Sequence, residues 1–264
     1  MNTSSAGGEE FEGKIALVVG GSSGIGFHAA ILLAQRGAQV TILADRGVDD
    51  AIARAAGRGV ELSGVTGEAS SSALMKSVID RLADEQGGLH ITVHTAAIHP
   101  YGNAGQTPEE VWDRVLAVNL KSVYLLAHHA LPHMIRQRDG AIVNVSSVQG
   151  TGCQADVSAY STSKAAILGF TRTLAVDYSS MGIRANSVSP GSIRTPLLDL
   201  AAEKFGAGQS KEDVFAGWGR AIPAGRIGEP EEVAEVIAFA ASPRASYCSG
   251  SDFVVDGGLR IKLA

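Results

Sequence analysis

Cysteine is scarce: the two thiols of this 264-residue chain, Cys153 and Cys248, make neither a disulfide framework nor a zinc-binding pattern. Runs of Lys or Arg are missing as well, and the formal net charge is −5, which argues against nucleic acid or an anionic membrane as the main partner. No uninterrupted apolar stretch approaches the ~18 residues that a membrane span needs. The first ten residues, MNTSSAGGEE, have neither the basic start nor the apolar core of an export signal. No internal repeat is evident. These shortages lead to the expectation of a soluble, cytoplasmic protein that keeps its thiols reduced and whose partner is a small molecule, with no nucleic acid and no membrane.

What the chain does have is a 45% hydrophobic composition, enough for a sizeable core at this length. Short β-branched runs, IALVV (15–19), VTIL (40–43), ITVH (91–94), AIVNV (141–145), SVS (187–189) and FVV (253–255), alternate with longer Ala-rich segments of helical period. That rhythm predicts repeated βαβ units, an α/β fold with a doubly wound parallel sheet and helices on both faces. The expected organisation is a disordered arm over residues 1–10 and a single Rossmann-like domain over 11–264. Residues 192–220 break the rhythm with Pro196 and apolar residues at helical spacing. They read as a small helical insertion placed to act as a substrate lid, because ligands of open α/β sheets bind beyond the carboxyl ends of the strands.

The run Gly20-Gly-Ser-Ser-Gly-Ile-Gly26 follows the first strand and precedes the first helix. Glycine there permits a tight turn, and the backbone N–H groups at the helix start favour a pyrophosphate. A second stretch, Ser158-Ala-Tyr-Ser-Thr-Ser-Lys164, sets a phenol and an ammonium on one helix face at i and i+4. Most such pairs merely stabilise a helix surface, so the rest of the chain must decide whether this one reacts.

At these points the chain resembles the short-chain dehydrogenase/reductase family, whose fingerprint T-G-x-x-x-G-x-G is matched except that Val19 stands at the threonine position. The family's Y-x-x-x-K falls on Tyr160 and Lys164, its N-x-x-x-P-G-x-x-x-T on Asn186 to Gly191 with Thr195, and its closing strand on Val254 to Gly258. The resemblance spans about Gly13 to Gly258. It implies a catalytic tetrad of Asn119, Ser147, Tyr160 and Lys164, with Ser146 a more structural neighbour. It implies a nicotinamide cofactor held by Gly20, Ser22, Ser23, Gly24, Ile25, Gly26, Asp45, Val65, Ala96, Ala97, Asn119, Tyr160, Lys164, Pro190, Gly191, Ile193 and Thr195. A homotetramer with the Tyr160 helix in one interface is likewise implied.

These residue types suit hydride transfer between an alcohol carbon and a nicotinamide. A tyrosine with a pKa of about 10 is a poor base near neutrality, and lowering it by roughly 3 units takes about 4 kcal/mol. An ammonium at about 4 Å supplies that order of energy at an effective dielectric near 20. Lys164 is therefore expected to tune Tyr160, and the resemblance implies that it also holds the nicotinamide ribose. Ser147 is expected to donate to the substrate oxygen, and Asn119 to hold a water that links Lys164 to solvent.

The cofactor expected is NAD, with NADP open. Asp45 after the second strand can accept from the adenosine ribose diol, its neighbour Arg46 favours NADP, and in the family's usual alignment the acidic residue falls at Ala44. Ser23 is neutral where NADP-dependent members are often basic. Two departures stand out: the family's D-V is Gly64-Val65 here, which removes a side-chain contact to adenine and leaves Val65 to meet the ring, and its N-N-A-G is His94-Thr-Ala-Ala97, a bulkier turn. His99, Gln149 and Gln154, with Ser147 and Tyr160, are the expected substrate contacts and suggest a sugar, polyol or similar polar alcohol. An NADPH-dependent reductase of a 3-oxoacyl thioester is the alternative enzyme, and a nucleotide-binding sensor without turnover the alternative class. His129 and His133 have metal-compatible spacing without a third ligand, so no metal is expected. Cys153 is not needed as a nucleophile, and Trp112, Phe170 and Trp218 read as core or interface residues.

Overall fold

β-Branched and aliphatic residues follow one another without polar interruption at Ile15–Val19 (β1), and all five are buried, as a strand covered on both faces requires. The computed structural model describes residues 10–262. Seven strands form one parallel sheet in the order β3-β2-β1-β4-β5-β6-β7. After β1 they are Gln39–Ala44 (β2), Ser63–Thr66 (β3), Ile91–His94 (β4), Gly140–Val145 (β5), Ile183–Pro190 (β6) and Asp252–Val255 (β7). The helices are Gly24–Gln35 (α1), Val48–Ala56 (α2), Ser72–Glu85 (α3), Glu109–Leu116 (α4), Ser122–Gln137 (α5), Ser158–Tyr178 (α6), Pro196–Phe205 (α7), Lys211–Ala221 (α8) and Pro230–Ala241 (α9).

Alternation along the strands divides the core. Ala16, Val18, Ile42, Val93 and Val143 pack with α1, α2 and α9, while Ile15, Leu17, Val19, Leu43 and Ile142 pack with α3, α5 and α6. Each fully buried aliphatic side chain is worth about 1.5–3 kcal/mol. The chain runs β1, β2, β3 to one edge and then returns to place β4 on the other side of β1. The carboxyl ends of β1 and β4 therefore form the switch point at which α/β folds bind ligands.

Strand β3 has no counterpart among the expected strands. Its sequence SGVT carries only one apolar side chain, and Gly64 is required there: a methyl group on it would lie 2.3 Å from Val48 Cγ1, so α2 rests directly on the backbone. Strand β6 is longer than the expected SVS, and three of its polar side chains, Arg184, Asn186 and Ser189, have protein partners, while the buried Ser187 hydroxyl has none among the described residues. Arg184 donates to the carbonyls of Ala240, Ala241 and Ser242, and Asn186 donates to the Cys248 carbonyl. The insertion folds as α7 and α8 around Ala202, Val214 and Phe215, with Trp218 against them. Of the expected arm, residues 1–9 lie outside the described residues. Glu10 is fastened, its carboxylate 2.6 Å from Arg244 Nε and 3.4 Å from Arg36 Nη1.

Candidate functional site

The turn after β1 is built by contact. Gly20 has φ +84°, and a methyl group on it would lie 2.5 Å from the Ala96 backbone nitrogen; on Gly26 a methyl group would meet the Gly20 carbonyl oxygen at 2.3 Å. The loop is also tied where Val19 provides no hydroxyl. Thr95, at the end of β4, donates from Oγ1 to the carbonyls of Val19 (2.9 Å) and Gly20 (3.1 Å). Ser23 makes no side-chain cap, so the first N–H groups of α1 remain available to an anion.

These residues open onto a cleft of about 1420 Å³ across the carboxyl ends of the strands. Gly20, Ser22, Ser23, Gly24, Ile25, Gly26, Asp45, Ala96, Ala97, His99 and Thr195 all line it. Thr195 caps α7 and abuts Gly24, which ties the insertion to the glycine turn. Pro190, Gly191 and Ile193 are not part of the lining; Gly191 N–H bonds the Val255 carbonyl and Ile193 pairs with Gly228.

At one end of the cleft the register is unambiguous. Ala44 closes β2 with its carbonyl on Gly67 N–H, and Asp45, the next residue, presents its carboxylate 3.5 Å from Arg46 Nε. Arg54 Nη2 donates to the Ser22 carbonyl at 2.6 Å. Val65 is placed elsewhere than expected: it packs against the α3-side core, and Glu68, Ala69 and Ser70 line the cleft instead. Arg114 grips both Glu68 oxygens at 2.9 Å and holds that carboxyl below its usual range. The expected contact, Val65, is the third residue of β3, whose parallel pairing runs on to Thr66, and the loop that reaches the cleft begins beyond it.

The tetrad converges from three elements. Ser147 caps the turn after β5 and accepts from Gln149 N–H at 3.1 Å. Tyr160 and Lys164 share one face of α6, the Lys164 Nζ 5.6 Å from the phenol ring centre and 2.9 Å from the Val145 carbonyl. Asn119 sits in a π-helical turn, Ala117–Lys121, between α4 and α5. All four are between 0 and 8% exposed. Ser146 donates to the Lys164 carbonyl at 2.8 Å, a structural role.

The electrostatics differ from the expected tuning. Burial pushes the Tyr160 phenol up to about 12, with the Ser147 hydroxyl acting in the opposite sense, and burial pushes the Lys164 ammonium down to about 7. At roughly 4–6 Å an ammonium–phenolate attraction is about 3–4 kcal/mol for a dielectric of 20. Full burial can shift a group by 3–5 units, about 4–7 kcal/mol. Desolvation therefore dominates both groups. Asn119 is bonded on both sides of its amide. Its Oδ1 accepts from Ile98 N–H at 2.9 Å, and its Nδ2 donates to the Ile98 carbonyl and to Ser163 Oγ at 3.0 and 3.1 Å. These three bonds fix the amide, and Oδ1 keeps a second lone pair as an acceptor for the expected water.

Two histidines flank this centre. His94 is fully buried at the end of β4, its Nε2 2.6 Å from Ser122 Oγ. Ser122 in turn donates to the Val118 carbonyl inside the π-turn. Nε2 therefore carries the proton, and Nδ1 is buried without a partner. Burial, helped by the Lys164 charge, pushes the imidazole down to about 3. His94 is a neutral clamp on the turn that carries Asn119, a role invisible in sequence. His99 stacks on the Tyr160 ring, centroids 4.0 Å apart, and burial with the Lys164 charge pushes it down to about 4.

Gln149 and Gln154, like Asn119, Ser147, Tyr160 and Lys164, are not among the residues that line the cleft. Gln149 Nε2 donates to Gln154 Oε1, and Ser161 donates to Gln149 Oε1, both at 3.3 Å. His133 bonds Asp80 at 3.0 Å and His129 bonds Ser72 at 3.1 Å. Among the described residues no three His, Cys, Asp or Glu side chains converge on a metal position, and no helix is long and apolar enough to cross a membrane.

Comparison with known proteins bears on this arrangement. A family model described as enoyl-(acyl carrier protein) reductase matches residues 19–260. A cis-4-hydroxycyclohexanecarboxylate dehydrogenase of Sinomonas cyclohexanicum is 43% identical, covering 95% of this chain and 98% of that protein. A 3-oxoacyl-[acyl-carrier-protein] reductase of Thermotoga maritima is 36% identical over 95% of this chain and 99% of its own length. The ligand-free structure of Thermoplasma acidophilum aldohexose dehydrogenase superposes with a TM-score of 0.90 at 34% identity, covering 97% of this chain and 98% of that one.

Proposed function

Because the chain belongs to the short-chain dehydrogenase/reductase family, we propose that it transfers a hydride between NAD and a secondary alcohol or ketone, with Tyr160 as the proton-transfer group. The observation that carries this reading is the convergence of Asn119, Ser147, Tyr160 and Lys164 next to a cleft that opens on the glycine turn. Relatives named for a hydroxycyclohexanecarboxylate and for an aldohexose support an alcohol substrate.

The cleft fits a dinucleotide. The space a Cβ would fill at Gly20 and Gly26 lets the backbone approach a pyrophosphate, and the uncapped start of α1 favours its charge. Asp45 is suited to the adenosine ribose diol, Glu68 to Ser70 to the adenine side, and Thr195 to the far side of the turn. The nicotinamide supplies the carbon that accepts or returns the hydride and, when oxidised, a ring cation.

During oxidation the C–H bond of the alcohol breaks with its electron pair leaving as hydride, and the O–H proton passes to the Tyr160 oxygen. Reduction reverses both transfers. Ser147 donates to the substrate oxygen, where charge develops, while Asn119 and Ser163 fix the helix face that carries the phenol. Lys164 anchors through the Val145 carbonyl and provides the positive charge that favours phenolate when protonated. The desolvated phenol alone favours the protonated form, so oxidation depends on that charge.

The Asp45 carboxylate just after β2, which would repel a 2′-phosphate, supports NAD over NADP; Arg46 pairs with Asp45 itself, and Arg54 and Arg114 are held by the Ser22 carbonyl and Glu68. That also weighs against the NADPH-dependent 3-oxoacyl reductase named among the relatives. Half-exposed Tyr124 on α5 and exposed Val176 on α6 suit packing against further copies in a homotetramer. Unpaired Cys153 and Cys248 suit a reducing cytoplasm. The test is a nicotinamide-absorbance screen of alcohols and ketones with both cofactors. Turnover with a preference for NAD is expected, and dinucleotide binding without any turnover would leave a sensor.

A further inference from the structure

Three aromatic contacts lead outward from the reacting phenol. His99 stacks on Tyr160 at 4.0 Å, Tyr101 follows His99 at 4.7 Å, and Phe205 of α7 meets the Tyr101 ring edge-on at 4.7 Å. Tyr101, Leu197 and Leu200 line the cleft, while Phe205 and Lys204 stand outside its lining and close the outer end through their contacts with Tyr101. There the Lys204 ammonium lies 4.7 Å from the Tyr101 ring centre and 5.8 Å from that of Phe205. The carboxylates nearest in sequence are engaged elsewhere. Asp199 and Glu203 face Lys211 of α8 at 3.9 and 2.9 Å, and Lys204 has no ion pair among the described residues.

A surface of this kind selects by shape and charge. Aromatic faces favour a compact apolar ring, and an ammonium at the far end favours a substrate anion. A hydroxyl-rich chain finds few partners here. The one buried unpartnered polar atom in the wall is His99 Nε2, while Gln149 and Gln154 bond each other. Buried hydroxyls without partners are costly. Resting on the hydride-transfer reading above, we propose that the His99–Tyr101–Phe205 wall and Lys204 form the substrate subsite and select a secondary alcohol or ketone on an apolar ring that carries a carboxylate. Lys204 is then a specificity residue, and the insertion contributes recognition as well as cover.

The experiment compares kcat/KM with NAD for three alcohols: 4-hydroxycyclohexanecarboxylate, its uncharged methyl ester, and an aldohexose. The acid is expected to exceed the ester by about five-fold, the upper range for a solvent-exposed ion pair (about 1 kcal/mol), and that preference is expected to shrink with added salt. In Lys204→Met the preference is expected to fall to about one, and in Lys204→Arg to persist. An ester that equals or exceeds the acid, or a preference that survives Lys204→Met, overturns the subsite. Faster turnover of the aldohexose than of either ring alcohol also overturns it and leaves hydride transfer intact. No oxidation of any of the three, alongside turnover of other alcohols, removes the subsite alone; no oxidation of any alcohol removes both.

Discussion

Replacing His94 with Phe should separate stability from activity. The imidazole is fully buried, with Nε2 bonded to Ser122 and Nδ1 unpartnered. Phenylalanine keeps most of the volume, deletes one hydrogen bond and removes one unsatisfied nitrogen. The deletion costs about 1–3 kcal/mol and the removal returns a similar amount, so stability at pH 7 is expected to stay within about 1 kcal/mol of the parent. The pH dependence is expected to change more. The folded-state pKa, about 3, lies below the ordinary 6.5, so the unfolded chain binds the extra proton first. Stability therefore falls as the pH drops below about 6.5, by about 1.4 kcal/mol per unit until about 3. Between pH 7 and pH 5 His94 alone should remove about 2 kcal/mol from the parent, a loss that His94→Phe avoids. Urea unfolding at the two pH values measures this directly. Meanwhile Ser122 loses its donor and the π-turn loosens around Asn119, so kcat is expected to fall roughly ten-fold, as for a positioning residue whose loss misplaces the reacting groups. An acid sensitivity equal in parent and variant would refute the buried neutral imidazole, and an unchanged kcat would refute the clamp.

Other outcomes follow from the cleft. Asp45→Ser should lower kcat/KM with NAD by about 5–30-fold. A charged hydrogen bond is worth about 1.5–3 kcal/mol, discounted because this carboxylate is 51% exposed and already faces Arg46; steady-state kinetics with both cofactors should show the NAD preference shrinking. Gly20→Ala combines a left-handed backbone with a methyl group 2.5 Å from the Ala96 nitrogen. It should lose about 3 kcal/mol or more, which corresponds to a Tm drop of at least about 6 °C. Gly13→Ala, with φ +71° and open space around it, should lose only the backbone strain of about 1–2 kcal/mol.

The doubly wound sheet was legible because its central strands are buried on both faces and read as uninterrupted apolar runs, as at Ile15–Val19. Strand β3 was not, since its contribution is backbone closeness at Gly64 rather than apolar surface. The glycine turn and the Tyr160–Lys164 spacing were local patterns and could be read directly. What sequence could not supply was direction: His94 looks like a bulky member of a cofactor wall, yet it turns into the β4–α5 interior to bond Ser122. The Tyr160–Lys164 electrostatics were only partly legible for a related reason. Spacing gives the distance between two charges but not the burial that outweighs their attraction. Glu68 to Ser70 carry no signal in the sequence because the end of a weak edge strand has no apolar marker.

The most direct test of the central claim is Tyr160→Phe, assayed by nicotinamide absorbance on whichever alcohol the parent oxidises, with cofactor affinity measured alongside. Removing one hydroxyl from a buried ring leaves the packing with His99 in place, so the fold and dinucleotide binding should persist while kcat falls by about 10²–10⁴. A variant that binds the cofactor and retains most of its kcat would show that the proton travels by another route.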